Sequence, residues 1–176
     1  QMVFHRYAHQ PHPDAAPGMA MGPYGFFFER TNTWFGQSGG WIEVRRDGFG
    51  RNDHMSWVRV PWTAYNVKNG LVRPATANIE NDPEAEIVFG LGFGGLGIGG
   101  AFDDGNRNHA FLGWFTAGTA AYRTANGEIR VAAGDVDGDG RDELVIGFGA
   151  GGAGRVEIRD DRTANYATLA ILTIPF

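Results

Sequence analysis

Apolar and polar residues come in short bursts along this chain. Glu86–Leu91 and Glu143–Phe148 are apolar runs that enter glycines. Trp41–Arg45 and Arg155–Arg159 alternate apolar and charged residues, the period of a strand with one buried face. Ser56–Trp62, His109–Phe115 and Asn165–Ile174 read as further strands. Thr63–Val67 and Ala117–Arg123 lead into Asn69-Gly70 and Asn126-Gly127, a dipeptide that favours a hairpin turn, and are expected to be strands as well. The pattern predicts an all-β fold.

The strands recur. Arg130–Asp161 aligns without a gap on Arg73–Asp104, at an offset of 57 residues. The identities go beyond glycine: Asp139 falls on Asp82, Glu143 on Glu86, and Asp160-Asp161 on Asp103-Asp104. Tyr122 and Asn126-Gly127 fall on Tyr65 and Asn69-Gly70, and Gly154–Arg159 falls at twice the offset on Gly40–Arg45. The chain therefore divides into an N-terminal arm (1–15), a degenerate unit (16–72), a second unit (73–129) and a third (130–176). About four antiparallel strands in such a unit suit a propeller blade. In the first unit the stretch equivalent to the acidic loops is Met21–Glu29, where Glu29 keeps the one carboxylate.

The strongest chemical signal is Asp135-Val136-Asp137-Gly138-Asp139-Gly140-Arg141-Asp142-Glu143. Carboxylates stand at loop positions 1, 3, 5 and 9, and Gly138 and Gly140 let the backbone curl through positive φ. Such a loop brings Asp135, Asp137, Asp139 and Glu143 together and turns the Arg141 carbonyl inward. A hard oxygen set of this size suits Ca²⁺ better than Mg²⁺. An EF-hand is excluded, since the loop lacks flanking helices and a Glu at position 12. The equivalent stretch of the second unit offers Asn78, Glu80, Asp82 and Glu86 as a second candidate set. There Pro83 replaces Gly140, so this loop bends differently. It is open to two readings, a second calcium loop or a structural turn.

Composition sharpens the picture. Glycine makes up 28 of 176 residues, well above the usual share of about 7%, and lies mostly in the repeat. The net charge of −5, with Arg scattered, argues against nucleic acid as a partner. The absence of cysteine excludes disulfides, thiol catalysis and Cys-ligated zinc. No apolar run reaches the length of about 20 residues that a membrane helix needs. Gln1 has two readings, a mature terminus left by signal cleavage or a start inside a longer chain.

The succession strand, DxDGDGxxE, LVIG and FGAGGAGRV resembles the FG-GAP (integrin α-type) and VCBS propeller repeats; Phe148–Gly152 stands close to the motif that names them. The resemblance covers 129–161 best, then 72–104, then 16–62. It implies a β-propeller fold, with Ca²⁺ held by Asp135, Asp137, Asp139, Glu143 and the carbonyl of Arg141. It also implies an extracellular or cell-surface setting and a non-catalytic role in adhesion or surface assembly. The alternatives are a lectin-like module that binds a glycan or a surface protein, and the accessory domain of a larger secreted enzyme.

Other constellations are weaker. His5, His9 and His12 suggest a metal patch, but Pro11 and Pro13 prevent their alignment on a helix. Trp34, Trp41, Trp57, Trp62, Trp114 and Phe26–Phe28 suit either sugar stacking or packing between blades. Asp103-Asp104 and Asp160-Asp161 recur at equivalent positions and read as turns. Gly36-Gln37-Ser38-Gly39-Gly40 has the G-x-S-x-G spacing but is the first unit's copy of the repeat's glycine segment, and no P-loop is present.

Three units cannot easily close a ring, and repeats bury their faces against neighbours. Completion by oligomerisation or strand exchange is expected, as a homo-oligomer or a head-to-tail polymer. The third unit stops before its own Tyr and Asn-Gly. Met2–Tyr7, with Met2, Phe4 and Tyr7, is the candidate strand to complete it.

Overall fold

The computed structural model describes residues 3–4, 21–22, 25–29, 39–48, 51–82 and 84–175. These residues form three antiparallel sheets, none of them closed. The first contains β1 (Val3–Phe4), β2 (Met21–Gly22), β3 (Gly25–Glu29), β4 (Trp41–Gly48) and β5 (Arg51–Arg59), in the order β1-β3-β4-β5 with β2 on β3. The second runs β6 (Val72–Ala77), β7 (Glu86–Leu91), β8 (Ile98–Phe102), β9 (Phe111–Thr116). The third runs β10 (Ile129–Gly134), β11 (Glu143–Phe148), β12 (Arg155–Arg159), β13 (Thr168–Thr173). Every strand of the third sheet begins and ends 57 residues after its counterpart in the second. A β-bulge recurs at the same spacing, at Val44/Arg45, Ala101/Phe102 and Ile158/Arg159.

Two expectations need correction. The segments that lead into Asn-Gly are not strands but single helical turns, α1 (Thr63–Lys68) and α2 (Ala120–Ala125). The Asn amide and the Gly after it bond back to the tyrosine carbonyl, Asn69 and Gly70 to Tyr65 at 2.8 and 3.0 Å. Gly70 and Gly127 take φ +69 and +70, the left-handed conformation in which glycine ends a helix. Tyr65 and Tyr122 are buried, and their hydroxyls donate to the carbonyls of Leu71 and Glu128. The fourth strand of each sheet is instead the segment that enters the acidic loop, β6 or β10.

The second correction follows. The third sheet already has its four strands, so the final Tyr and Asn-Gly were never part of it. Val3–Phe4 pairs in the first sheet, Val3 opposite Phe28 and Phe4 opposite Phe27. The arm thus supplies the first sheet with the strand that β6 and β10 supply to the others; Met2 and Tyr7 lie outside the described residues. The first unit also departs from the 57-residue register. Phe26 pairs with Arg45 as Ile87 pairs with Phe102, so β3 lies four residues earlier than the offset predicts. Glu29 is then at the strand end far from the loop, and Gly25 stands where Glu86 and Glu143 stand.

The core lies between sheets. Ile42, Val44, Val58 and Val60 pack with Tyr65, Val72, Ile87, Phe89, Leu91 and Phe102. Ala75, Ala77, Ile79, Val88, Ala101, Phe115 and Ala117 pack with Ile129, Val131, Leu144 and Ile146. Successive residues of β7 therefore face opposite neighbours, and all six are buried. A Cβ at Gly90 would lie 2.5 Å from the Ile129 carbonyl oxygen, so glycine is what lets the sheets approach. The outward face of the third sheet carries Val145, Ile158 and Ala170 in one cross-strand row and Gly147, Val156 and Leu172 in another. Its counterpart in the second sheet is covered; here Leu172 and Ile174 are half exposed.

Candidate metal centre

The loop between β10 and β11 is wound on its own carboxylates. Asp135 accepts from the amides of Gly138 (2.7 Å) and Gly140 (3.1 Å). Asp137 accepts from the Asp139 amide, and Asp139 from that of Arg141. Gly138 and Gly140 sit at φ +85 and +92, as the sequence predicts. Glu143 is fully buried at the start of β11, and its Oε2 accepts from Val136 (2.5 Å) and Asp137 (3.2 Å). Its Oε1 is buried with no hydrogen-bond partner. Asp135, Asp137 and Glu143 each bring one oxygen to within 4.8 Å of the others.

Asp139 is not part of that triad. Its Oδ2 pairs with the Arg141 guanidinium at 2.5 Å. The same guanidinium reaches Asp161 Oδ2 at 2.5 Å and Asn81 Oδ1 at 2.7 Å. Burial pushes the Asp161 carboxyl up, but hydrogen bonds from Thr163, Arg141 and Ala164 outweigh it and hold it below the usual range. The hydrogen bond to Asp161 in turn raises Arg141 above its ordinary value. Arg141 thus clamps the loop to the turn after β12, a role beyond the carbonyl ligand that its position suggests.

A buried carboxylate oxygen without a donor is rare in folded proteins. Beside two further carboxylates it calls for a positive partner, and oxygen donors alone suit a hard ion. The residues present fit Ca²⁺. Asp135, Asp137 and Glu143 would hold it, and it would neutralise their mutual repulsion and tie β10 to β11.

The second unit's loop repeats the frame with other side chains. Glu86 is fully buried, its Oε2 accepts from the Ile79 amide at 2.8 Å, and its Oε1 has no partner. Burial, aided by the charges of Asp82 and Glu80, pushes the Glu86 carboxyl up to about 8. The Asn78 side chain lies 3.1 and 3.2 Å from the Glu80 and Asp82 carbonyls and donates to both when its amide nitrogen faces them. The two loops are joined, since Asn78 and Asp142 exchange hydrogen bonds, each 2.7 Å long. Of the four candidates here, Glu80 and Glu86 meet Asp103, and Asp82 and Glu86 meet Asp104. Asp103 and Asp104, which the sequence marks as turn residues, thus also face the loop, and Asp104 accepts from the Asn106 amide within its turn.

His5, His9, His12 and Trp34 lie outside the described residues. Trp41 and Trp57 meet edge to face at 6.3 Å, and Trp62 stacks on Tyr65. Trp114 packs against Phe89 and Phe111 and lines a shallow pocket of about 230 Å³ with Arg159, Asn165 and Tyr166.

With this geometry in place, comparison with known families is decisive for one stretch. Residues 129–156 match the FG-GAP repeat. The match spans β10, the acidic loop, β11, the glycine turn and the start of β12. An FG-GAP unit suggests a β-propeller-type repeat protein. Residues 1–53 give a weak partial match to a glycoside hydrolase family, the α-L-rhamnosidases. No curated protein matches the chain. Among the described residues no helix is long and apolar enough to cross a membrane.

Proposed function

We propose that the chain is a calcium-stabilised, non-catalytic repeat protein of the β-propeller type, acting outside the cell in adhesion or surface assembly. The observation that carries this reading is the Glu143 Oε1, buried without a donor beside Asp135 and Asp137 inside an FG-GAP unit. Calcium would stabilise the fold by mass action, because the unfolded loop binds it poorly. The three sheets are three blades in this reading. The outward face of the third fits a further blade, supplied by a second copy of the chain. The test is the melting temperature with Ca²⁺ and with EDTA, for the native chain and for Asp137→Ala. The native chain is expected to melt lower in EDTA, and Asp137→Ala to lose the part of that difference that the 135–143 loop supplies. A native chain indifferent to EDTA would refute the calcium reading. Mass in solution tests the assembly, and a strict monomer in calcium speaks against it.

A second reading is an accessory or glycan-binding module of a carbohydrate-active protein. It is favoured by the partial α-L-rhamnosidase match and by the half-exposed Trp114 beside Arg159 and Asn165. A glycan array, with Trp114→Ala as control, separates it from the first.

A further inference from the structure

We propose that the second unit holds a hard divalent cation in an acidic basin between its loop and the turn after β8. Glu86 is at the centre, and Asp103 and Asp104 supply ligands from outside the loop. Two triads converge on Glu86, one with Glu80 and Asp103, the other with Asp82 and Asp104; within each the oxygens lie within 4.8 Å of one another.

The second, independent observation is a set of unsatisfied atoms. Glu86 is 0% exposed; the Ile79 amide occupies its Oε2, and its Oε1 has no partner. Glu80 Oε2 and Asp82 Oδ1 are buried without partners too. Leaving one such oxygen unmet is costly, and three in one basin point to a missing positive partner.

The third unit shows what is missing. There Asp161, the counterpart of Asp104, receives the Arg141 guanidinium. The counterpart of Arg141 is Glu84, whose carboxylate accepts from the Asn106 side chain at 3.3 Å. So the second unit has a further negative charge where the third has its positive one. Among the described residues two guanidiniums reach the basin. Arg162 pairs with Glu80, while Arg107 lies 3.2 Å from Asp82 and 3.7 Å from Asp103, its side chain 58% exposed. Against Glu80, Asp82, Asp103 and Asp104 they leave an excess of negative charge that a divalent ion offsets. Oxygen donors alone select calcium over the softer metals. This site shares no ligand with the 135–143 loop and does not depend on the reading of that loop.

The test is calcium stoichiometry on the full chain after chelation, by native mass spectrometry and calorimetry. The native chain is expected to bind two ions. Asp137→Ala and Asp104→Asn should each bind one, and their combination none. Asn at 104 still accepts from the Asn106 amide, so the turn is kept. Glu86→Gln, which keeps an acceptor for the Ile79 amide, should also lose one ion; circular dichroism checks the fold of each variant. A native chain that binds one ion, lost in Asp137→Ala, overturns the proposal. So do two ions retained by both Asp104→Asn and Glu86→Gln, or calcium uptake that never saturates. A single ion lost in Asp104→Asn but kept in Asp137→Ala would uphold it while refuting the calcium reading of the 135–143 loop.

Discussion

The loops 78–86, whose Pro83 lies outside the described residues, and 135–143 join equivalent strands and solve different charge problems there. In each, a fully buried glutamate at the start of the second strand caps an amide of the loop and leaves its other oxygen unmet. Around that common point the side chains diverge. Asp135 winds the later loop by accepting from Gly138 and Gly140, whereas Asn78 lies against the Glu80 and Asp82 carbonyls. Arg141 clamps Asp139 and Asp161, whereas its counterpart Glu84 adds another negative charge. The flanking strands and the buried glutamate thus outlast the ligand set, so a repeat can keep its frame while its electrostatics change.

The largest expected effect is removal of calcium from the 135–143 loop. With free ion at 100 to 1,000 times its dissociation constant, binding contributes about 3–4 kcal/mol. For a chain of this size that is about 10 °C in melting temperature. Asp137→Ala should remove this response in calorimetry. A variant that still gains about 10 °C from calcium would place the whole effect in the other unit and reverse the ranking of the two loops.

Next comes a difference in pH response, measured in EDTA. Glu86 titrates at about 8 in the folded chain and near 4.5 when unfolded. Between these values the unfolded chain gives up a proton that the folded chain keeps. The stabilisation is therefore complete below 4.5 and is lost as pH rises through 8. Denaturant midpoints should fall from pH 5 to pH 8, and Glu86→Gln should flatten that fall. An equal fall in both proteins would show that Glu86 is not its source. Asp161 acts with the opposite sign. Its carboxyl is held low, so its contribution is present above the ordinary 3.8 and is lost as pH falls through the folded value. Arg141→Ala should accordingly lower the melting temperature at pH 7, with the gap to the native chain closing in acid. A gap that persists at pH 2 would mean that Arg141 acts through packing rather than through Asp161.

Much of this was legible in the sequence, and the exceptions have physical causes. The apolar runs at 86–91 and 143–148 are strands with the predicted bounds, because one face of each must meet a neighbouring sheet. The glycines of the 135–143 loop announce their φ directly. The Asn-Gly pairs misled because glycine at positive φ ends a helix as readily as it turns a hairpin. Asp103 and Asp104 were invisible as site residues since nothing local marks them. They meet Glu86 only because β8 lies beside β7, a fact of register rather than of spacing. The triad at 135–143 excludes Asp139 for the same kind of reason: Arg141 is two residues away in sequence, but Asp161, which fixes its direction, is brought in by β12.

The smallest predicted effect bears most directly on how the two loops differ. In the second loop the Asn78 side chain lies within 3.2 Å of two carbonyl oxygens, so its amide can close the turn without an ion. Asn78→Asp would replace that donor by a carboxylate facing the same oxygens, next to Glu80 and Asp82. In EDTA the loss of hydrogen bonding should cost about 1 kcal/mol, or roughly 2–4 °C. Calcium should then recover most of it, because the new carboxylate resembles Asp135 and adds a ligand to a basin already rich in oxygen. Melting curves of the native chain and the variant, with and without calcium, decide it. If the variant in EDTA melts with the native chain, the amide is not what closes this loop. If calcium leaves the deficit untouched, a single side chain does not convert one kind of loop into the other, and Pro83 in place of Gly140 becomes the constraint to remove.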